Sequence, residues 1–259
     1  MTASLAGRPV DAVLFDYGNT LITVRRPQRS LERAYDSIAA LLRARLGAHV
    51  PCGSVLLHAV HDRLEAAVFD HDRNGSLEEI NLTAAALDAY ADLGVTLSEA
   101  DLDEVTRVEQ TAWWDGITVP ADVRPVLETL RAGGVRTGIC SNAPYHPATL
   151  LAQLEHLRLA ELLDSVTFSS QVGWRKPSPL IFERALAQLG GEAATTVMVG
   201  DTVSSDIRGA HGAGLRAIRL REHSDDQDTS EIADVVIDRL AELPRLLNID
   251  GGQGSPSRN

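Results

Sequence analysis

Lysine is nearly absent from this sequence. Of its 24 basic residues, 23 are arginine, and Lys176 is the only lysine. A compact ammonium among planar guanidinium forks draws attention to position 176, with chance as the plain alternative. Cysteine is scarce too: Cys52 and Cys140 are too few for a disulfide framework or a thiolate metal site. Positive charge is short overall. A formal net charge of −12 argues against nucleic acid and anionic membrane as partners. Any anionic small molecule must then be held by a local positive site, against the field of the whole chain. No apolar run is long enough to span a bilayer, and the opening residues Met1 to Pro9 lack the apolar core of a secretion signal. The expectation is a cytoplasmic protein.

What is present is the composition of a globular chain: 259 residues, 44% of them hydrophobic, enough for one large domain or a core with a smaller module. The apolar run Ala12 to Phe15 reads as a strand buried on both faces. It ends abruptly in Asp16 and the turn Tyr17-Gly18-Asn19-Thr20. The pattern then becomes helical. Apolar residues from Leu31 to Leu46 recur at helix spacing, with Ser30 as expected N-cap and Gly47 as stop. Further helices are expected over Ser54 to Asp70, over Ser76 to Leu93 with Ser76 and Glu79 as a capping box, and over Ser98 to Trp114. This block contains no strand. After Pro120, helix and strand alternate. Strands are expected at Val135 to Cys140, Val166 to Phe168, Thr196 to Val199, Arg216 to Leu220 and Asp234 to Ile237. The helices between them are Ala121 to Ala132, Pro147 to Leu163, Ser178 to Leu189 and Asp206 to Ala213. Such alternation predicts an α/β fold with a parallel sheet and right-handed crossovers. The first strand joins that sheet, so the helical block is an insertion. The domains read as a Rossmann-like core over 1–22 and 118–250, an all-helical cap over 23–117, and a disordered tail over 251–259.

Each core strand ends in a residue suited to one anionic site: Asp16, Ser141 with Asn142, and Asp201. Asp206 opens the helix after Asp201, and Lys176 lies in the loop Gly173-Trp-Arg-Lys-Pro177. In an open parallel sheet, ligands bind beyond the carboxyl ends of the strands. Two or three carboxylates gathered there repel unless a divalent cation joins them, and hard oxygen donors suit Mg²⁺. A phosphate on that metal would meet a hydroxyl, an amide and backbone N–H groups, with a lysine neutralising the remaining charge. Taken singly, each residue has an ordinary explanation as a cap or a solvated charge.

Taken together, these stretches resemble the haloacid dehalogenase-like hydrolase superfamily over nearly the whole chain. Phe15-Asp-Tyr-Gly-Asn-Thr-Leu21 is similar to that family's first motif and Ile139-Cys-Ser-Asn142 to its second. Gly173-Trp-Arg-Lys-Pro-Ser-Pro179 with Ile181-Phe182 is similar to the third, and Val199-Gly-Asp-Thr-Val-Ser-Ser-Asp206 running into Gly214 to the fourth. The helical insertion matches the family's first cap class. The resemblance implies Asp16 as the nucleophile of an aspartyl-phosphate. It implies Mg²⁺ held by Asp16, the Gly18 carbonyl and Asp201, with Asp206 in or near the shell, and Ser141 and Lys176 on the transferring phosphoryl group. Asn142, Asn19 and Thr20 are then assigned to substrate. Arg25, in the connector, would meet a second anionic group or stand solvated. Trp113 would stack on a substrate ring or simply pack.

One position departs from the pattern. Family phosphatases carry a second aspartate two residues after the nucleophile, as general acid and base; here that residue is Gly18. Such assistance is typically worth ~10²–10⁴ in rate, or roughly 3–5 kcal/mol of barrier. The expected activity is therefore a Mg²⁺-dependent phosphatase on a small phosphorylated metabolite, favouring good leaving groups unless a cap residue among His58, His61, Asp62, Asp70, His71 and Asp72 substitutes. The family's dehalogenases and phosphonate hydrolases also lack that aspartate. However, the former lack the Gly200-Asp201 metal motif, and the latter need a cap lysine that this chain does not have. A binding protein that keeps the site without turnover is the third reading. A monomer or homodimer is expected.

Overall fold

Four consecutive apolar residues, Ala12–Phe15, form a strand with no exposed side chain, and the sheet is built outward from it. In the computed structural model, which describes residues 3–249, this is strand β1. The others are β2 (Arg136–Ser141), β3 (Ser165–Phe168), β4 (Thr196–Gly200), β5 (Arg216–Leu220) and β6 (Val235–Ile237). All six are parallel, in the order β6-β5-β4-β1-β2-β3. This is a Rossmann-like α/β core. Strand order reverses on either side of β1, the topological switch point where such sheets bind ligands.

The register places the polar strand ends at one level. Phe15 pairs with Ile139 of β2 and with Val199 of β4. Asp16, Ser141 and Asp201 therefore leave the sheet within about a residue of one another. One face of the sheet packs Ala12, Leu14, Met198 and Ala217 against Ile181, Phe182 and Ala185 of the helix Pro179–Leu189. These side chains are fully buried, and non-directional burial of apolar area of this kind holds the strand ends in place.

The chain divides into two compact units. One takes the chain up to Thr23, Thr118–Asn142 and the chain from Leu157 onward; the other takes Val24–Ile117 and Ala143–His156. The sequence pattern assigns Pro147–His156 to the core, yet this helix groups with the helical unit. It also ends earlier than the expected Leu163: Arg158 adopts a left-handed backbone (φ 57°), and a short 3₁₀ turn, Ala160–Leu162, follows.

The helical unit has its own core, in which Leu31, Tyr35, Ile38, Leu42, Leu56, Val60, Tyr90, Leu102 and Val105 are buried together. Two of the expected helix starts move. The first helix is Gln28–Leu46, beginning directly after Pro27 rather than at Ser30, and the Ser30 hydroxyl donates to Asp115 (2.6 Å) instead of capping. The Ser76–Glu79 box does not form, because Ser76 Oγ donates to the Glu78 carbonyl and Glu79 Oε1 accepts the Ile80 N–H. The helix begins at Leu82, capped by Asn81 through the Ala84 N–H. The last start is as expected: the helix Glu99–Ala112 opens at Ser98, which forms a reciprocal capping box with Asp101. The proposed tail 251–259 lies outside the described residues.

Candidate active site

Asp16 Oδ1 accepts two hydrogen bonds, from Ser141 Oγ at 2.6 Å and from Lys176 Nζ at 2.7 Å. Its Oδ2 accepts none among the described residues. Lys176 Nζ also donates to Asp206 Oδ1 at 2.5 Å. Asp206 is completely buried, and its other oxygen accepts the Thr202 N–H at 2.9 Å. Gly200 is required here by close approach: a Cβ on it would stand 2.4 Å from the Asp206 carboxylate. The expected helix from Asp206 is replaced by a π-turn, Val203–Ile207, that leads into Arg208–Gly212. That turn folds the Asp206 side chain back onto Thr202.

Ligand atoms of Asp16, Asp201 and Asp206 all lie within 4.8 Å of one another. Against these three carboxylates stands one ammonium. Burial opposes the charge on Lys176, but the Asp16 and Asp206 carboxylates outweigh it and raise its pKa above the ordinary lysine range. Burial, reinforced by the charges of Asp206 and Asp16, pushes Asp201 up to about 7. Burial also raises Asp206 against the pull of Lys176. Three clustered carboxylates with one cation are short of positive charge, and all their donors are oxygen, so they fit a hard divalent ion.

Asn142 is used differently from its expected substrate role. Its Oδ1 accepts the Lys176 N–H (2.7 Å) and its Nδ2 donates to the Lys176 carbonyl (3.1 Å). It clamps the backbone that presents the lysine. Gly18 lies in the turn after Asp16, bridged to Ile22. Asn19 there has a left-handed backbone, φ 55°, and Thr20 is buried. Arg25 and Trp113 both belong to the helical unit. Arg25 donates its backbone N–H to the Gly116 carbonyl. The Trp113 indole donates to Glu109 and its ring lies 5.8 Å from that of His61.

Two supporting residues escape sequence reasoning. Ser224 Oγ donates to the Asp201 carbonyl (3.1 Å), and Asp226 Oδ2 accepts the Val203 N–H (2.6 Å). Together they grip both sides of Thr202. The loop that carries them is gathered by buried Arg219, which donates to the carbonyls of Asp226 and Asp228. Only the run of polar residues after β5, Glu222 to Ser230, hints at such a loop.

A family model described as haloacid dehalogenase-like hydrolase matches residues 10–214. The chain belongs to that family. Among curated relatives, it is 33% identical over 147 residues to a ribulose-1,5-bisphosphate 5-phosphatase of Halopiger xanaduensis, covering 53% of this chain and 60% of that protein. It is 32% identical over 126 residues to a glyceraldehyde 3-phosphate phosphatase of Methanopyrus kandleri, covering 47% and 53%. The matched stretches thus span only about half the length of these relatives. Among solved structures, a HAD phosphatase from Thermococcus onnurineus has a TM-score of 0.61 at 24% identity, with 93% of this chain and 99% of that chain covered. A 2-haloacid dehalogenase from Pseudomonas syringae has a TM-score of 0.65, also at 24% identity, covering 92% and 98%. At such identities these two likenesses describe the fold.

Proposed function

We infer that this chain is a phosphatase for a small phosphorylated metabolite, working through an aspartyl-phosphate on Asp16. One observation carries the reading: Asp16 Oδ1 is pinned by Ser141 and Lys176 while Oδ2 accepts no hydrogen bond among the described residues. A carboxylate held this way has a fixed orientation and one oxygen free to attack phosphorus. The curated relatives named as phosphatases support the same reading. Asp16, the Gly18 carbonyl, Asp201 and Asp206 would hold Mg²⁺, which when bound supplies charge stabilisation to the phosphoryl oxygens. Lys176 adds a fixed positive charge at the attacking carboxylate, and Ser141 adds a hydroxyl donor. Attack forms the Asp16–phosphorus bond as the bond to the leaving oxygen breaks. Water then cleaves the acyl phosphate and restores Asp16.

Gly18 gives the reading its selectivity. With no carboxyl there to protonate the departing oxygen, acyl and aryl phosphates are favoured over alkyl phosphates. The test is a Mg²⁺-dependent assay across those three classes, with Asp16→Asn as control. Acyl and aryl substrates are expected to turn over well ahead of alkyl ones, and Asp16→Asn to abolish turnover. Activity unaffected by Asp16→Asn or by chelation would sink the nucleophile assignment. Equal rates on alkyl and acyl phosphates would instead point to an acid supplied elsewhere in the chain.

A further inference from the structure

The helical unit contains a second group of charged side chains that the proposed reaction does not use. His61 closes the π-turn Leu57–His61 inside the long helical run from Gly53 to Asn74. Such π-turns interrupt a helix at a cost and occur often at functional positions. His61 is only 4% exposed. Its Nδ1 lies 2.8 Å from Glu109 Oε1, and the same oxygen accepts the Trp113 indole N–H, so the carboxylate is held from two sides. Nδ1 is thereby occupied by the Glu109 carboxylate. That leaves Nε2, which is buried and has no hydrogen-bond partner. It stands 4.0 Å from Glu65 Oε2. Ligand atoms of His61, Asp62 and Glu65 all lie within 4.8 Å of one another.

We propose that His61 Nε2, Glu65 and Asp62 form a site for a first-row divalent cation of the Zn²⁺ type, with Glu109 as the carboxylate that orients the imidazole. A buried imidazole with Nδ1 against one carboxylate and Nε2 facing others is the arrangement in which metal-ligating histidines are held. One nitrogen with carboxylate oxygens suits zinc and its neighbours better than magnesium. Two ligand atoms of one tetrahedral ion stand about 3.4 Å apart, so the 4.0 Å gap closes with a small side-chain rotation. Charge agrees. Asp62, Glu65 and Glu109 present three carboxylates, and the principal counter-charge is the Arg26 guanidinium, which donates to Asp62 and Glu65. Exposed His58 also meets Asp62, at 2.7 Å. The Arg26 side chain is 34% exposed, so it can swing outward and release both carboxylates. It stands as the counter-ion that a metal displaces.

The test is a Zn²⁺ titration of the full Asp201→Asn chain, which weakens the strand-end carboxylate group, followed by calorimetry and by the Co²⁺ absorption spectrum. One equivalent is expected to bind. In the same background, His61→Gln is expected to weaken binding by about tenfold or more, and Glu65→Gln serves if that variant does not fold. Arg26→Gln is expected to tighten binding by about tenfold, because a competing cation is gone. A purely structural role for Arg26 gives no such gain. Absence of bound Zn²⁺, binding indifferent to both His61→Gln and Glu65→Gln, or weaker binding in a folded Arg26→Gln chain would each overturn the proposal.

Discussion

A Cβ at Gly18 would meet nothing within 4 Å, and its φ does not lie in the left-handed region. Gly18→Asp is therefore expected to fold without strain, which makes the proton-transfer argument testable at one residue. If the rest of the site is intact, this substitution raises alkyl phosphate hydrolysis by ~10²–10⁴. No gain would mean that the proton is already supplied from elsewhere. The same residue affects the second half-reaction, since no carboxylate there activates water against the acyl phosphate. A stoichiometric burst of leaving group on aryl phosphates, followed by slow turnover, is expected in rapid-quench measurements and should disappear in Gly18→Asp. At this scale the candidate residues that the structure brings together are legible in the sequence. Asp16, Ser141, Lys176, Asp201 and Asp206 were readable because strand ends and motif spacing point to them, and the single lysine lies against Asp16 and Asp206. Asn142 was readable as a participant but not in its role. Its two bonds to the Lys176 backbone join residues 34 apart, and no local spacing records such a contact.

The elements that carry Asp201 are held by side chain–backbone bonds rather than by packing alone. Ser224 and Asp226 reach back 23 residues to Asp201 and Val203. Asp226→Ala removes the acceptor of the Val203 N–H and loosens the turn that presents Asp201. The expected outcome is a roughly 10–100-fold loss of Mg²⁺ affinity, as for other residues that orient metal ligands, with substrate KM at saturating Mg²⁺ little changed. Equal affinity in mutant and parent would show that the turn holds itself. Helix boundaries illustrate the same limit on reading a sequence. The Ser98 helix start was legible, and in the structure its capping partner Asp101 lies only three residues away. The Ser76 cap failed because Glu79 satisfies a neighbouring N–H instead, a competition that composition does not reveal.

For the whole molecule, the balance of charge is the controlling quantity. A chain with net charge −12 gathers three carboxylates around one buried ammonium, an arrangement that a bound cation would relieve. Folded Asp201 keeps its proton up to about 7, whereas in the unfolded chain it loses it near pH ~4. Between these limits the folded state binds more protons, so this group's contribution to metal-free stability falls as pH rises through that window. A cation bound at the proposed site would replace the proton. The Tm gain from Mg²⁺ is therefore expected to be larger near pH 8 than near about pH 5.5, and a gain independent of pH would contradict the assignment of Asp201. The architecture was legible at this scale because strand and helix alternate so regularly after Pro120. The grouping of Pro147–His156 with the helical unit was not, since its amphipathic pattern does not say which core it faces.

The covalent step on Asp16 is the decisive feature of the proposed reaction. The most direct measurement is acid-quench labelling with ³²P-acetyl phosphate and Mg²⁺, followed by hydroxylamine treatment and peptide mapping. The expected result is hydroxylamine-labile phosphate, at most one per chain, on the peptide containing Asp16 and absent from Asp16→Asn. Label that persists in Asp16→Asn, or rapid Mg²⁺-dependent turnover with no trapped phosphoenzyme, would contradict it.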